Sequence, residues 1–310
     1  MTVREGRHRK RIHLAAHSGD QSDVETLVRL AHSAERGSFD FLLIGGSATL
    51  AMPSALAAVT ERLGLVATVD TTHNEPFVVA RQFATLDHLS DGRSGWNVAS
   101  SADPDRYPRA EEFLAVARAF WDSWEDGEVP ADEQTGVYVD PGSLHTVDHR
   151  GAQFDVRGFA TLPAGPQGHP ILLQDGDSAE GREFGAKHAD VLVVAHATLE
   201  AGQRYYGDVK ARVAALGRDP DRLKVFASVT VAVGDDRSRL GGTPEQVAAA
   251  MDSYVQADAC DGFLLAPHGL DEFVDAVVPL LQERGVFRTD YRGFTLREHL
   301  GIGSSEEPGP

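Results

Sequence analysis

The chain has 310 residues, a length that one large α/β domain can reach. Its 42% hydrophobic and 25% charged residues exclude a disordered or fibrous protein. A formal net charge of −18 makes the average surface repel nucleic-acid phosphates and anionic lipids, so we expect neither nucleic acid nor membrane as a partner. The single cysteine, Cys260, and the lack of a signal-like apolar segment at the N-terminus predict a cytoplasmic protein.

Apolar runs alternate with turn signals along the chain, and this alternation predicts eight strand–helix units. The predicted strands are 12–16, 39–44, 65–69, 95–99, 170–174, 191–195, 225–233 and 262–266. The predicted helices are 22–36, 54–63, 76–89, 108–124, 179–188, 199–216, 244–255 and 270–284. Residues 125–168 interrupt the alternation with many Gly, Pro and Asp residues, so we interpret them as a hairpin-like insertion between helix 4 and strand 5.

This alternation predicts a parallel sheet, and strands that are apolar on both faces must be covered on both sides. A closed (βα)8 TIM barrel meets that requirement and leaves no exposed edge strand. The alternative, a doubly wound sheet, usually has a glycine-rich phosphate turn after its first strand, whereas His17-Ser18-Gly19-Asp20 follows here. We therefore predict a single barrel domain over residues 1–302, followed by a flexible tail over 303–310.

In such barrels the active site lies at the carboxyl ends of the strands, which restricts the candidate positions. These positions are His17, 45–47, 70–72, 97–101, 174–178, His196 and His268. His17 and His196 each follow a strand, where either histidine can donate a proton, contact a ligand or cap loop carbonyls. The histidines lack HxH or HExxH spacing, so we predict no metal site.

Ser178 precedes the fifth predicted helix, at the end of the segment Gln174-Asp175-Gly176-Asp177-Ser178. A serine in this place caps the helix, and the free amides of a helix start also bind phosphate. This segment fits helix capping and phosphate binding equally well. The chain contains no GxSxG, Walker A or GxGxxG motif, which argues against a serine hydrolase, a P-loop enzyme and a dinucleotide turn.

A long segment identifies a family resemblance: residues 75–98 read EPFVVARQFATLDHLSDGRSGWNV. Further motifs follow in order, including Arg106-Tyr107, Gln174 with Gly176 and Ser178, and the C-terminal TLREHLG of residues 295–301. Together they resemble the bacterial luciferase-like flavin monooxygenases, in particular the nitrilotriacetate and dibenzothiophene-sulfone monooxygenase branch. The resemblance runs from about residue 39 to 302 and implies an α/β barrel, in agreement with the units counted from the pattern.

The resemblance implies a two-component enzyme that takes reduced FMN from a flavin reductase and oxygenates a small organic substrate as a homodimer. By position, Asn97 is expected to contact the flavin ring or ribityl chain. Tyr107, Ser178 and the amides around Gly176 and Asp177 are expected to hold the phosphate. We add Gly46 to the predicted cofactor contacts, and His17, Asp70 and His196 as candidate catalytic residues.

Several positions depart from the family pattern at the expected flavin site. Gly45-Gly46 replaces Ala-Asp, Asp70 replaces a serine, Asp103 replaces a histidine and Asp175 replaces an alanine. The long segment that relatives carry after the seventh strand is also missing, which predicts a more open site. Two alternatives therefore stand beside the oxygenase: a barrel with flavin-independent chemistry at Asp70 or His17, and a non-catalytic partner protein.

Overall fold

A computed structural model describes residues 9–19, 23–45, 50–99, 106–124, 129, 131–139, 141–196, 198–234, 240–266 and 268–303. The predicted contact Gly46, the substituted position Asp103 and nearly all of the predicted tail lie outside these residues.

Eight parallel strands close a barrel, and four short strands lie outside it. In chain order, the strands are β1 (His13–His17), β2 (Phe41–Ile44), β3 (Gly64–Asp70), β4 (Ser94–Ala99), β5 (Val147–Arg150), β6 (Asp155–Gly158), β7 (Ile171–Asp175), β8 (Val191–Val194), β9 (Lys224–Val229), β10 (Val231–Val233), β11 (Leu240–Gly242) and β12 (Gly262–Leu265). The order around the barrel is β1-β12-β9-β8-β7-β4-β3-β2, so the first and last strands pair and the sheet has no edge. The predicted TIM barrel is confirmed.

Helices cover the outside of the barrel. They are α1 (Val24–Arg36), α2 (Ala51–Ala57), α3 (Pro76–Leu89), α4 (Arg106–Trp121), α5 (Ala179–His188), α6 (Leu199–Ala215), α7 (Pro244–Gln256), α8 (Leu270–Ala276), α9 (Val278–Glu283) and α10 (Leu296–Leu300). None of the helices within the described ranges is both long and apolar enough to cross a bilayer. Between α4 and β7, the antiparallel pair β5–β6 confirms the predicted hairpin character of the insertion.

Three predicted elements were wrong in extent. The seventh strand was predicted over 225–233, but β9 ends at Val229 and the chain then leaves the barrel to pair β10 with β11. The last helix, predicted over 270–284, is divided into α8 and α9, because Pro279 has no amide hydrogen for the helical ladder. The second helix was predicted over 54–63 but spans Ala51–Ala57. It begins earlier because Pro53 is tolerated in a first helical turn, and it ends six residues before the predicted end.

The middle of the barrel interior is apolar. Inward-facing residues from successive strands pack together there, among them Phe41, Val66, Leu173 and Phe226. Leu296 and Leu300 of α10 join the same cluster, and a Cβ added to Gly64 at the start of β3 would lie 2.6 Å from Leu296. Helix α10 thus closes the base, which leaves the carboxyl ends of the strands as the open mouth.

Candidate active site

The wall of the mouth formed by β3, β4 and β7 carries three predicted residues. Asp70 is the register partner of Ala99, and Asn97 is the partner of Leu173, so Asp175 lies level with Ala99. Side chains alternate along a strand, and Val66 and Leu173 point inward, so Asp70 and Asp175 lie on inward-facing positions of β3 and β7. Two carboxylates thus flank Ala99 at the level where the strands end, above Asn97.

Asn97 is 6% exposed and lies below these carboxylates in the barrel interior. Its amide nitrogen donates to Oγ1 of Thr68 on the neighbouring β3, at 3.2 Å. This contact between adjacent strands fixes the Asn97 side chain in the barrel interior below the mouth.

His17 ends β1 on the opposite side of the mouth from β4 and β7. Its Nδ1 accepts a hydrogen bond from the Gly19 amide at 3.1 Å, and burial lowers the pKa of the imidazole. The neutral ring therefore carries its proton on Nε2. Beside it, the Ser18 hydroxyl accepts from the Gly45 amide, and a Cβ on Gly45 would lie 2.8 Å from the Gly19 carbonyl oxygen. This close approach explains why the second strand is followed by glycine.

The Asp70 carboxylate is occupied by its own loop. Its Oδ1 accepts from the amides of Thr72 and His73 at 2.9 and 2.7 Å and from Nδ1 of His73 at 3.0 Å. Asn74 donates to the Asp70 carbonyl oxygen at 2.9 Å. These bonds make the carboxylate a cap of the loop that follows β3.

Asp175 differs from Asp70, because no described residue donates a hydrogen bond to its carboxylate or forms an ion pair with it. The side chain is open to water, yet the surrounding barrel wall desolvates it enough to raise its pKa. Within the described part of the mouth, the charge of the Asp175 carboxylate is therefore not offset by a neighbour.

The start of α5 brings together the residues predicted to bind phosphate. Ser178 caps the helix by accepting from the Gly181 amide at 3.0 Å, and the Tyr107 hydroxyl of α4 lies 3.5 Å from Ser178 Oγ. A Cβ on Gly181 would lie 2.8 Å from the Tyr107 hydroxyl and 3.1 Å from Ser178 Oγ, so only glycine leaves this concave space open. Amides 177–180 have no acceptor within the described chain. We use the name cradle for Tyr107 together with residues 176–181.

The other predicted residues of this region lie behind the cradle. The Arg182 guanidinium pairs with Asp177 at 3.1 Å and with Asp208 of α6 at 3.1 Å, which draws the Asp177 carboxylate along the surface. His196 is 8% exposed and packs against the Tyr205 ring at 4.9 Å. His196 thus lies between β8 and α6, outside the group formed by Asn97, Asp70 and Asp175. Its predicted catalytic role stays a prediction.

The cradle fits a phosphate group. Free amides at the start of a helix, hydroxyls from serine and tyrosine, and a glycine that keeps the space open are the donors that oxyanions use in proteins. The Arg106 guanidinium stacks 4.7 Å above the Tyr107 ring and adds a positive charge close by. The cradle can therefore accept a phosphate group at the carboxyl end of β7.

Comparison with known proteins identifies the family. The luciferase-like monooxygenase family matches residues 10–241. The chain belongs to this family. It is 32% identical to the N-acetyl-S-(2-succino)cysteine monooxygenase of Bacillus subtilis, over 94% of this chain and 92% of that protein. It is also 32% identical to the nitrilotriacetate monooxygenase component A of Aminobacter aminovorans, over 91% and 90%.

Solved structures agree with the sequence comparison. The crystal structure of a long-chain alkane monooxygenase superposes with a TM-score of 0.88 at 28% identity, covering 94% of this chain and 96% of the other. The predicted luciferase-like membership, near the nitrilotriacetate monooxygenases, is confirmed. At the level of the family, the predicted flavin-dependent monooxygenase activity and the FMN cofactor are confirmed as well.

Two residues of the region were not found from the sequence. Gly181 follows Ser178 by three positions, and this spacing could have marked it as the residue whose amide the cap accepts. Tyr205 donates to the Gly176 carbonyl oxygen from α6, 29 positions further along the chain. No local sequence pattern predicts a contact between residues so far apart along the chain.

Proposed function

We propose that the chain is the oxygenase component of a two-component system, with reduced FMN delivered by a separate flavin reductase. The observation that carries this proposal is the cradle at the start of α5. There Tyr107, Ser178 and Gly181 lie together beside amides 177–180, which have no acceptor among the described residues. When bound, reduced FMN supplies the electrons that activate oxygen, and the protein supplies binding, orientation and shelter from water.

The residues of the mouth have separate tasks in this proposal. Ser178, Tyr107 and amides 177–180 hold the phosphate, and Asn97 contacts the ring or ribityl chain from below. His17 faces the substrate side as a neutral imidazole that offers the Nε2 proton. Asp70 holds the loop after β3 in place, because three donors already occupy its Oδ1.

The substrate is a small organic molecule in this proposal. The relatives are named for N-acetyl-S-(2-succino)cysteine and nitrilotriacetate, which are compact polar molecules. The alignment with the Bacillus protein spans 407 positions, more than the chain itself contains, so that protein has segments with no counterpart here.

Equilibrium titration of the purified protein with FMN and with riboflavin tests the proposal. We expect FMN to bind more tightly, because riboflavin lacks the phosphate, and we expect Ser178→Ala to reduce this preference. Under the same conditions, supply of reduced FMN by a reductase should support oxygen incorporation into a substrate. Equal affinity for the two flavins, or substrate turnover in rigorously flavin-free protein, would contradict the proposal.

The assembly and location are also proposals. We propose a homodimer in the cytoplasm, since family resemblance implies the dimer and the single buried cysteine suits a reducing compartment. We further propose that residues 1–302 form one domain, because strands from His13 to Leu265 close the same barrel. Light scattering after gel filtration measures the mass, and a single cooperative unfolding transition is expected of one domain.

A further inference from the structure

Tyr205 contacts the cradle from behind. It is 3% exposed on α6, and its hydroxyl donates to the Gly176 carbonyl oxygen at 2.5 Å. Burial raises the pKa of the phenol, so the group remains a donor at any working pH. The Arg182 guanidinium stacks 4.8 Å above the Tyr205 ring while pairing with Asp177. One side chain of α6 thus holds the backbone of residue 176, and the stacked arginine holds the side chain of residue 177.

The bond to Gly176 determines where the next amide points. The Gly176–Asp177 peptide is trans, and in a planar trans peptide the C=O and N–H bonds point in opposite directions. Since the carbonyl points toward α6, the Asp177 amide points away from α6. Helix α5 packs between α6 on one side and α4, which carries Tyr107, on the other. The Asp177 amide therefore faces the side on which Tyr107 and Ser178 lie.

This amide is available for a ligand. It is one of the cradle amides that have no acceptor in the described part of the chain. A glycine at 176 leaves the peptide free to rotate, because glycine has the widest range of backbone conformations. Without an anchor on its carbonyl, the peptide could turn its amide away from the cradle.

We propose that Tyr205 is a positioning residue that fixes the Gly176–Asp177 peptide, so that the Asp177 amide is directed at the phosphate of the flavin. The inference rests on the proposed phosphate site in the cradle. It assigns a role in cofactor binding to a residue that cannot touch the cofactor, because Tyr205 lies on the far side of residue 176. Its effect must therefore appear with FMN and not with riboflavin, which has no phosphate.

The neighbouring tyrosine provides a matched control. Tyr206 is also buried on α6, and its hydroxyl donates to Asp261, the residue before β12, at 2.9 Å. Tyr205→Phe and Tyr206→Phe each remove one buried hydroxyl from adjacent positions of one helix. Only the first removes a bond to the loop that carries the cradle.

The test measures dissociation constants of FMN and riboflavin for the wild-type protein and both variants. We expect Tyr205→Phe to weaken FMN binding by about 5- to 10-fold, the effect of one lost hydrogen bond, and to leave riboflavin within about 2-fold. Tyr206→Phe should change neither constant. Equal FMN constants for the two variants, or an equal loss for both flavins in Tyr205→Phe, would overturn the role of Tyr205. A wild-type protein without preference for FMN would instead reject the phosphate site itself.

A second measurement needs no variant. In the wild-type protein, FMN should slow hydrogen exchange of the Asp177 amide, while riboflavin should leave its exchange rate unchanged. If FMN binds preferentially and the Asp177 amide is not protected, the inference is wrong even though the phosphate site stands.

Discussion

At the scale of single residues, Asp175 is the group most opposed to a phosphate-bearing ligand. Its carboxylate lies on the same β7–α5 connection as the cradle and has no described partner to offset its charge. A repulsion of about 1 kcal/mol is reasonable for two like charges at a partly solvated site. We expect Asp175→Ala to tighten FMN binding by roughly 5-fold, measured by titration.

The charge effect has a matched control and a salt test. Asp221→Ala changes the net charge equally but lies just before β9, at the base of the barrel, so FMN affinity should not change. The gain in Asp175→Ala should shrink in high salt, because ions screen the repulsion. An unaltered affinity in Asp175→Ala would show that this carboxylate does not repel the cofactor, and a weakened affinity would show that it contacts the cofactor favourably.

Gly181 is the second residue on which the proposed phosphate site depends. We expect Gly181→Ala to weaken FMN binding at least 5-fold, because the added methyl group occupies the space between Tyr107 and Ser178. Gly207→Ala on α6 is the control, since its added Cβ would meet nothing within 4 Å. That variant should bind FMN normally and gain up to about 1 kcal/mol of stability from higher helix propensity. Normal FMN affinity in Gly181→Ala would remove the cradle as the phosphate site.

At the scale of elements, one carboxylate attaches the insertion to the barrel. Glu112 of α4 accepts hydrogen bonds from the amides of Ala152, Gln153 and Phe154, in the turn between β5 and β6, and from His149 at 3.0 Å. Burial would raise the pKa of Glu112, but these donors together lower it. The hydrogen bonds to the charged Glu112 carboxylate thus hold the hairpin turn in place.

We expect Glu112→Gln to loosen the hairpin while the barrel stays intact. Loss of hydrogen bonds to a charged group costs about 2 kcal/mol, which corresponds to roughly 30-fold faster amide exchange over residues 147–158. Hydrogen exchange followed by mass spectrometry measures this change. The control is Glu111→Gln at the adjacent position, where the carboxylate pairs with Lys187 on the surface. If both variants exchange alike, Glu112 does not hold the turn.

The sequence predicted the elements that have a strong period and the residues that lie at their ends. The eight apolar runs predicted the barrel. The family resemblance predicted Asn97, Tyr107 and Ser178 as cofactor contacts, and the structure has Tyr107 beside Ser178. The sequence could not show that Asp70 is occupied by its loop, that His196 turns toward Tyr205, or that Tyr205 reaches Gly176. These facts depend on side-chain direction and on contacts between distant segments, which periodicity does not encode.

At the scale of the whole molecule, the base of the barrel sets the response to acid. Asp40 is buried there and pairs with the half-buried side chains of His13 and Arg288, and α10 closes the base with the buried His299. Burial would raise the pKa of Asp40, but Arg288 and His13 hold it below its usual range. The Asp40 carboxylate therefore keeps its charge, and its share of the stability, at mildly acidic pH.

His299, unlike Asp40, makes the stability sensitive to mildly acidic pH. Burial, helped by Arg288, lowers its pKa to about 4, while the unfolded chain has a histidine pKa near 6.5. The unfolded state therefore binds more protons below pH 6.5, so stability is present above that pH and is lost as the pH falls toward 4. Between pH 7.5 and pH 5 this single group should reduce the free energy of unfolding by about 2 kcal/mol.

Urea unfolding at the two pH values tests this assignment. His299→Gln should reduce the difference in unfolding free energy between pH 7.5 and pH 5 by about 2 kcal/mol, because glutamine does not titrate. His188, whose pKa burial also lowers to about 4, should account for a further part of the difference. A wild-type pH dependence that survives in His299→Gln would place the acid sensitivity away from the base of the barrel.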